Sequence, residues 1–340
     1  MVRPVTPDEL GELTAALAKP RAYRPFRTEL YSPDELYNRF NPDRPESYRQ
    51  CMDWQTFITY VQVDAQHRPL RPQRYVPVDL DELLARRLHD HFIVNELHDF
   101  LALQKAHRGV VAVMGGHDVA RSHDVYRTIA TLARDLTREG FLMATGGGPG
   151  LMEAANLGAW LASATDEAFA DALETLASAP LMSDPEWLSV AWRVRADTRP
   201  VDPSKCASLG VPTWFYGHEP PNVFATHIAK YFENSLREEG LLAIATHGVI
   251  FAPGNAGTVQ EIFQDTCQNY YATYGYSSPM VLFGAEFWNP IGRHPVAGAK
   301  PVWPLLQALA REKGIEHLLT LTSSADEAKQ RIVEFTPPIV

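Results

Sequence analysis

The sequence predicts an α/β protein, a Rossmann-like doubly wound parallel sheet with a mainly helical N-terminal extension. Three observations predict it. From about residue 109 onward, short apolar runs alternate with helical segments, the pattern of strands buried on both faces and joined by crossover helices. Two of those runs break into glycine-rich turns that open helices, around 145–151 and 253–258. Before residue 79, Pro4, Pro7, Pro20, Pro25, Pro33, Pro42, Pro45, Pro69, Pro72 and Pro77 leave room only for short helices.

Taken in order, residues 1–78 form an arm or cap. Tyr31, Tyr37, Phe40, Tyr48, Trp54, Phe57 and Tyr60 are too many aromatics for a disordered tail, so the arm is expected to be ordered, packed on the main domain or on a second subunit. Residues 79–108 form a connecting element in which Asp79 to about His107 reads as one helix. Leu80, Leu83, Leu84, Leu88, Phe92, Leu97, Phe100, Leu101 and Leu103 make its apolar stripe, facing the core or a dimer interface. Residues 109–340 form the Rossmann-like domain.

That domain opens with a strand at Val110–Met114, closed by Gly115-Gly116-His117, and a crossover helix at Val125–Glu139 that Gly140 stops. A second strand and glycine cluster follow at 141–150, then a helix to about Leu161. An insertion at about 163–208 contains a helix at Asp166–Ala177 and a segment with Trp187, Trp192, Arg193, Arg195 and Arg199; it is either a lid or a packing element. Val211–Tyr216 reads as a strand, and Asn222 as the cap of a helix from Val223 to about Glu239. Val249–Ala252 is the central strand, followed by a helix from Thr258 to about Ala272. Met280–Phe283 and His317–Leu321 are the last strands, and Val302–Lys313 and Ala325–Phe335 the last helices.

Composition narrows the partners. A net charge of −10 and a pI near 5.6 argue against a nucleic-acid polymer or an anionic membrane. No apolar run approaches the ~20 residues of a membrane span, and the N-terminus lacks a signal peptide's apolar centre, so a cytoplasmic location is expected. Cys51, Cys206 and Cys267 fit neither a disulfide framework nor a zinc site. His89, His91 and His98 lack the carboxylate pairing of a metal helix, and no metal is expected.

The turns carry the chemistry. Gly146, Gly147, Gly148 and Gly150 in one, and Gly254 and Gly257 in the other, let a ligand approach main-chain N–H groups at the positive end of a helix. Both lie at the carboxyl edge of a parallel sheet, where open α/β folds bind ligands, and together they suggest one phosphorylated ligand held from two sides. The competing reading of Thr258-Val259-Gln260-Glu261 is a capping box. A Walker loop is absent, and 146–151 does not follow the dinucleotide fingerprint. What remains is a mononucleotide or sugar phosphate, with Glu153 and Glu261 carried on the two helix starts. Cleavage of an N-glycosidic bond suits that inventory, because a fixed carboxylate stabilises positive charge at the sugar or activates water.

Pro253-Gly254-Asn255-Ala256-Gly257-Thr258-Val259-Gln260-Glu261 resembles the P-G-G-x-G-T-x-x-E signature of the Lonely Guy (LOG) family, and 145–152 resembles its G-G-G-x-x-G-L-M partner. The larger bacterial nucleotide 5′-monophosphate nucleosidases of that superfamily are similar in addition at 148–154 and at Glu219-Pro220-Pro221-Asn222. The resemblance covers about 109–335. It implies a homodimer or higher homo-oligomer, without a cofactor, that hydrolyses a nucleoside 5′-monophosphate to free base and ribose 5-phosphate. It further implies that Gly146, Gly147, Gly148, Gly150, Glu153, Gly254, Asn255, Gly257 and Thr258 hold phosphate and ribose, and that Glu261 is catalytic. Asn255 stands where the family has glycine. The family's catalytic arginine falls, by counting back from Pro253, on Glu238, one residue after Arg237. Three alternatives follow: Arg237 from an offset helix, Lys230 or an insertion arginine in its place, or binding without catalysis. A pyridoxal-phosphate decarboxylase would need a Schiff-base lysine, and neither turn has one.

Overall fold

The computed structural model describes residues 7–61, 80–215, 219–290 and 296–338. Pro4, Pro69, Pro72 and Pro77, Asp79 at the expected start of the long helix, and Tyr216 at the expected end of a strand lie outside them. Among the described residues, seven strands form one parallel sheet: β1 Val110–Met114, β2 Leu142–Thr145, β3 Ser208–Gly210, β4 His227–Ile228, β5 Val249–Phe251, β6 Met280–Phe283 and β7 Leu319–Thr322, in the order β4-β3-β2-β1-β5-β6-β7. β1, β2, β5 and β6 are buried at every position, which is why they read as unbroken apolar runs rather than alternating ones.

Helices cover both faces. The arm contributes α1 Pro7–Leu17, α2 Pro33–Leu36 and α3 Met52–Val61, followed by α4 Leu80–Leu103. The sheet region adds α5 Asp124–Arg138, α6 Leu151–Trp160, α7 Asp166–Ala177, α8 Trp187–Asp197, α9 Asn234–Ala243, α10 Ala256–Tyr271, α11 Ala285–Trp288, α12 Trp303–Lys313 and α13 Ala325–Glu334. From β1 the chain winds outward through β2, β3 and β4, then returns to β5 on the other side of β1. The crevice beyond the carboxyl ends of β1 and β5 is therefore the topological switch point, the place where such sheets take their ligands.

Two elements differ from the sequence reading. β3 ends at Gly210 instead of a strand running over 211–216, because Pro212 has no N–H for the ladder and Thr213 folds its Oγ1 back onto the N–H of Phe215. Asn222 does make cap-like bonds, accepting from the N–H groups of Phe224 and Ala225 at 3.1 Å each. No helix follows, since 227–228 is drawn into the sheet between β3 and an antiparallel bridge from Tyr31. The helix starts only at Asn234. Tertiary pairing overrides the local signal here.

The apolar stripe of α4 is shifted as well. Ala85, Arg86, His89, Asp90, Ile93, Leu97 and Phe100 are buried, whereas Leu80, Leu83 and Leu103 face solvent. His89 and Asp90 are drawn in by hydrogen bonds: Tyr31 Oη meets His89 Nε2 at 2.8 Å, and His89 Nδ1 meets Asp90 Oδ1 at 2.9 Å. Burial lowers the His89 pKa, so the ring is neutral.

The arm's aromatics belong to the same core as the sheet, with Tyr31, Tyr37 and Phe57 at or below 1 % exposure. It also brings charge into that core. The Asp53 carboxylate, fully buried, accepts from the Lys230 ammonium, the Trp214 indole and the Tyr48 hydroxyl. At the surface, Arg193 and Arg195 of α8 pair with Asp43 and Asp34 of the arm. The insertion meets the arm through these two arginines, and Lys230 is paired with the arm's Asp53.

Removing one member of a buried ion pair leaves the other uncompensated, which costs roughly 3–5 kcal/mol. Asp53→Ala is expected to lower stability by that amount in denaturant titration, and Asp53→Ala combined with Lys230→Met to recover most of it.

Candidate active site

The site is assembled from the loops after β1, β2 and β5 and from α9. Gly116, just past β1, joins the two glycine turns: its N–H donates to Pro253 O at 2.9 Å, and its carbonyl accepts from Leu151 N, the first residue of α6, at 3.0 Å. Gly150 must be glycine. Its φ is +66°, and a Cβ there would strike the Gly116 carbonyl.

The first turn is bolted down by side chains. Thr145 Oγ1 accepts from Gly147 N at 2.9 Å and donates to Asn156 Oδ1 at 2.7 Å. Asn222 Nδ2 reaches both Gly148 O and Asn156 Oδ1 at 3.0 Å, and Asn222 N donates to Gly147 O at 2.9 Å. The Glu219-Pro220-Pro221-Asn222 segment is thus the clamp of the glycine turn, and the Tyr37 hydroxyl of the arm donates to Pro221 O behind it. The Glu219 carboxylate lies beside Gly148, 3.5 Å from where a Cβ would stand. Residues 146–150 are all buried.

The second turn is more open. α10 begins at Ala256, two residues earlier than expected, and Asn255, Ala256 and Gly257 are exposed. Asn255 makes no capping bond; its amide donates to Asp118 Oδ2 at 3.3 Å. The first N–H groups of a helix have no partner within it, so this end of α10 presents donors to solvent.

The capping box does not form. Thr258 is the third helical residue, its hydroxyl packed against Gly254, and Glu261 runs instead to Arg237, with Nη1 3.4 Å from Oε1. Arg237 also donates from Nε to Val211 O at 3.0 Å, and its guanidinium fills the space a Cβ on Gly146 would need. One arginine therefore touches the carboxylate of α10 and the glycine turn after β2. Arg237, not its neighbour Glu238, meets Glu261; the Glu238 carboxylate accepts from Gln260 at 3.0 Å. The side chains of Arg237 and Glu261 are 11 % and 12 % exposed. Burial raises the Glu261 pKa, Arg237 lowers it and Glu238 raises it, leaving it above the ordinary carboxylate value.

Among the predicted site residues, Glu153 is held by protein partners. It is fully buried, with Arg121 donating to its two oxygens at 2.8 and 2.6 Å and Tyr126 Oη to Oε2 at 3.0 Å. It closes the junction of α5 and α6 instead of facing the turns. The residues that sequence reasoning missed are the positioning ones. Asp90 accepts from the N–H groups of Phe232 and Glu233, at 3.0 and 2.7 Å, and so fixes the approach to α9 and Arg237; Asn156 supports the first turn from eleven residues beyond Thr145. Neither has a local signature. Asn222 did, since its motif was visible, although as a clamp and not as a helix cap.

No protein-family model matches the chain, and no curated protein matches it either. Among solved structures, a molybdenum cofactor binding protein from the phototrophic bacterium Rippkaea orientalis is similar at 15 % identity and a TM-score of 0.39, over 66 % of this chain and 94 % of its own. TM1055, a structural-genomics target, is similar at 15 % identity and a TM-score of 0.36, over 66 % of this chain and 99 % of its own. Among the described residues, no helix is long and apolar enough to cross a membrane.

Gly150→Ala would combine a left-handed backbone with a clash against the Gly116 carbonyl. A loss of at least about 2 kcal/mol is expected, read as a lowered unfolding midpoint.

Proposed function

We propose that the protein hydrolyses the N-glycosidic bond of a nucleoside 5′-monophosphate, releasing free base and ribose 5-phosphate. One observation carries this: Glu261, a largely buried carboxylate with a raised pKa, is joined through Arg237 to the first glycine turn and stands one turn along α10 from an open helix start. In this reading the N–H groups at 255–258 seat the phosphate. Gly146 to Gly148, flanked by Arg237 and Glu219, form the ribose side, with Gly150 setting the turn. The Glu261 carboxylate then stabilises the oxocarbenium-like sugar and takes a proton from the attacking water. Arg237 orients that carboxylate and favours its ionised form. The family resemblance of both turns supports the same chemistry, and a homo-oligomer belongs to the reading as well.

A second reading, a nucleotide-binding protein with little or no turnover, is favoured by the burial of 146–150. One experiment separates the two: incubation with AMP, GMP, CMP, UMP, IMP and a cytokinin monophosphate, with chromatography for free base and ribose 5-phosphate. Release from any of them establishes the hydrolase. Binding by thermal shift without release establishes the binding protein.

For the hydrolase, Glu261→Gln is expected to lower kcat by about 10²–10⁴ with nucleotide binding retained. Because the working form of Glu261 is the carboxylate, kcat/KM should rise with pH through its pKa. Arg237→Met removes the influence that lowers that pKa, so the acid limb of the pH profile should move to higher pH, as rate measurements across pH 4–9 would show.

A further inference from the structure

One turn beyond Glu261 on the same helix, Asp265 is 3 % exposed, and its Oδ2 has no hydrogen-bond partner among the described residues. Gln268, a turn further, likewise has an unpartnered buried Nε2. Both line a small cavity of about 20 Å³ with Leu242, Ala243, Ala245 and Asn269. That is room for a single water-sized occupant. A buried carboxyl oxygen is ordinarily hydrogen-bonded or paired, and this Oδ2 has no such partner among the described residues.

The surroundings select the charge of the occupant. Leu242 and Ala243 are the last residues of α9, whose carbonyl end is the negative pole of the helix and whose last turn carries no basic residue. Among the described residues that line the cavity there is no lysine, arginine or histidine; its other titratable groups are Tyr274 and Tyr276, both with raised pKa values and neutral. Asn269 is already spent on Ser278, donating to its carbonyl at 3.3 Å and accepting from its N–H at 2.8 Å. Which atom of the Gln268 amide faces the cavity is a matter of a half-turn, and its oxygen would serve as a neutral ligand. We propose that Asp265 and the Gln268 amide, beside the negative end of α9, form a binding site for one dehydrated monovalent cation of the size of potassium or ammonium. A single carboxylate balances one positive charge, and so small a space leaves no room for the waters that magnesium usually keeps. Burial pushes the Asp265 carboxyl up to about 8, so the cation replaces a proton there. The ion would tie the end of α9, which carries Arg237, to the middle of α10, which carries Glu261.

The test uses the full-length protein and does not depend on any activity. Unfolding midpoints are compared in potassium chloride and in choline chloride at equal ionic strength, and crystals are soaked in rubidium chloride for anomalous scattering. A midpoint higher in potassium by about 4 °C, at a hundredfold excess over the dissociation constant, and a rubidium peak beside Asp265 are expected. Asp265→Asn should lose both, while Gln268→Leu, which keeps the carboxylate, should bind rubidium more weakly. Equal midpoints in the two salts with no rubidium peak in the wild-type protein would overturn the proposal and leave the cavity to water; so would a potassium effect of full size in Asp265→Asn.

Discussion

The two backbone bonds of Gly116 hold the site in register. A parallel sheet places the ends of β1, β2 and β5 side by side, but it does not by itself fix the loops that leave them. Here one peptide group past β1 donates to the turn after β5 and accepts from the helix that follows β2. The close approach that this requires is what Gly150 permits. Loops on three different strands thus behave as one rigid edge, and side chains on α9 and α10 can be placed against it with little slack.

The arm extends that control from outside. Tyr31, His89 and Asp90 form a buried polar line that ends on the backbone leading into α9. Tyr37 presses on the clamp of the first turn, and Asp53 neutralises a lysine that would otherwise be a buried bare charge. Hydrogen bonds and ion pairs in a dry interior are strong in place and costly when half made. The arm is therefore part of the same cooperative unit as the sheet.

Much of this could be read from the chain, and the reason is locality. Fully apolar runs such as Val110–Met114 and Met280–Phe283 announce buried strands, and Gly146 to Gly150 announce a turn whose backbone is tightly approached. What escaped was decided by distant partners. Thr258 and Glu261 have the spacing of a capping box, yet α10 starts two residues earlier, at Ala256, and Arg237 arrives from α9 to meet Glu261. Asn222 makes the bonds of a helix cap, yet strand pairing with Tyr31 and β3 prevails over the helix. Glu153 sits on a helix start like Glu261, and nothing near it in sequence reveals that Arg121 and Tyr126 will claim it.

The bridge between Tyr31 and Ile228 has a consequence beyond anchoring. β4 is the outermost strand on its side, and a sheet margin with free peptide groups invites pairing with the margin of another molecule. Tyr31 exchanges hydrogen bonds with Ile228 in both directions, at 3.0 and 2.8 Å, and so occupies those groups with the protein's own backbone. The arm acts as a stopper on the growing edge of the sheet: a molecule deprived of it would expose a template for joining sheet to sheet and would be lost to aggregation as well as to unfolding.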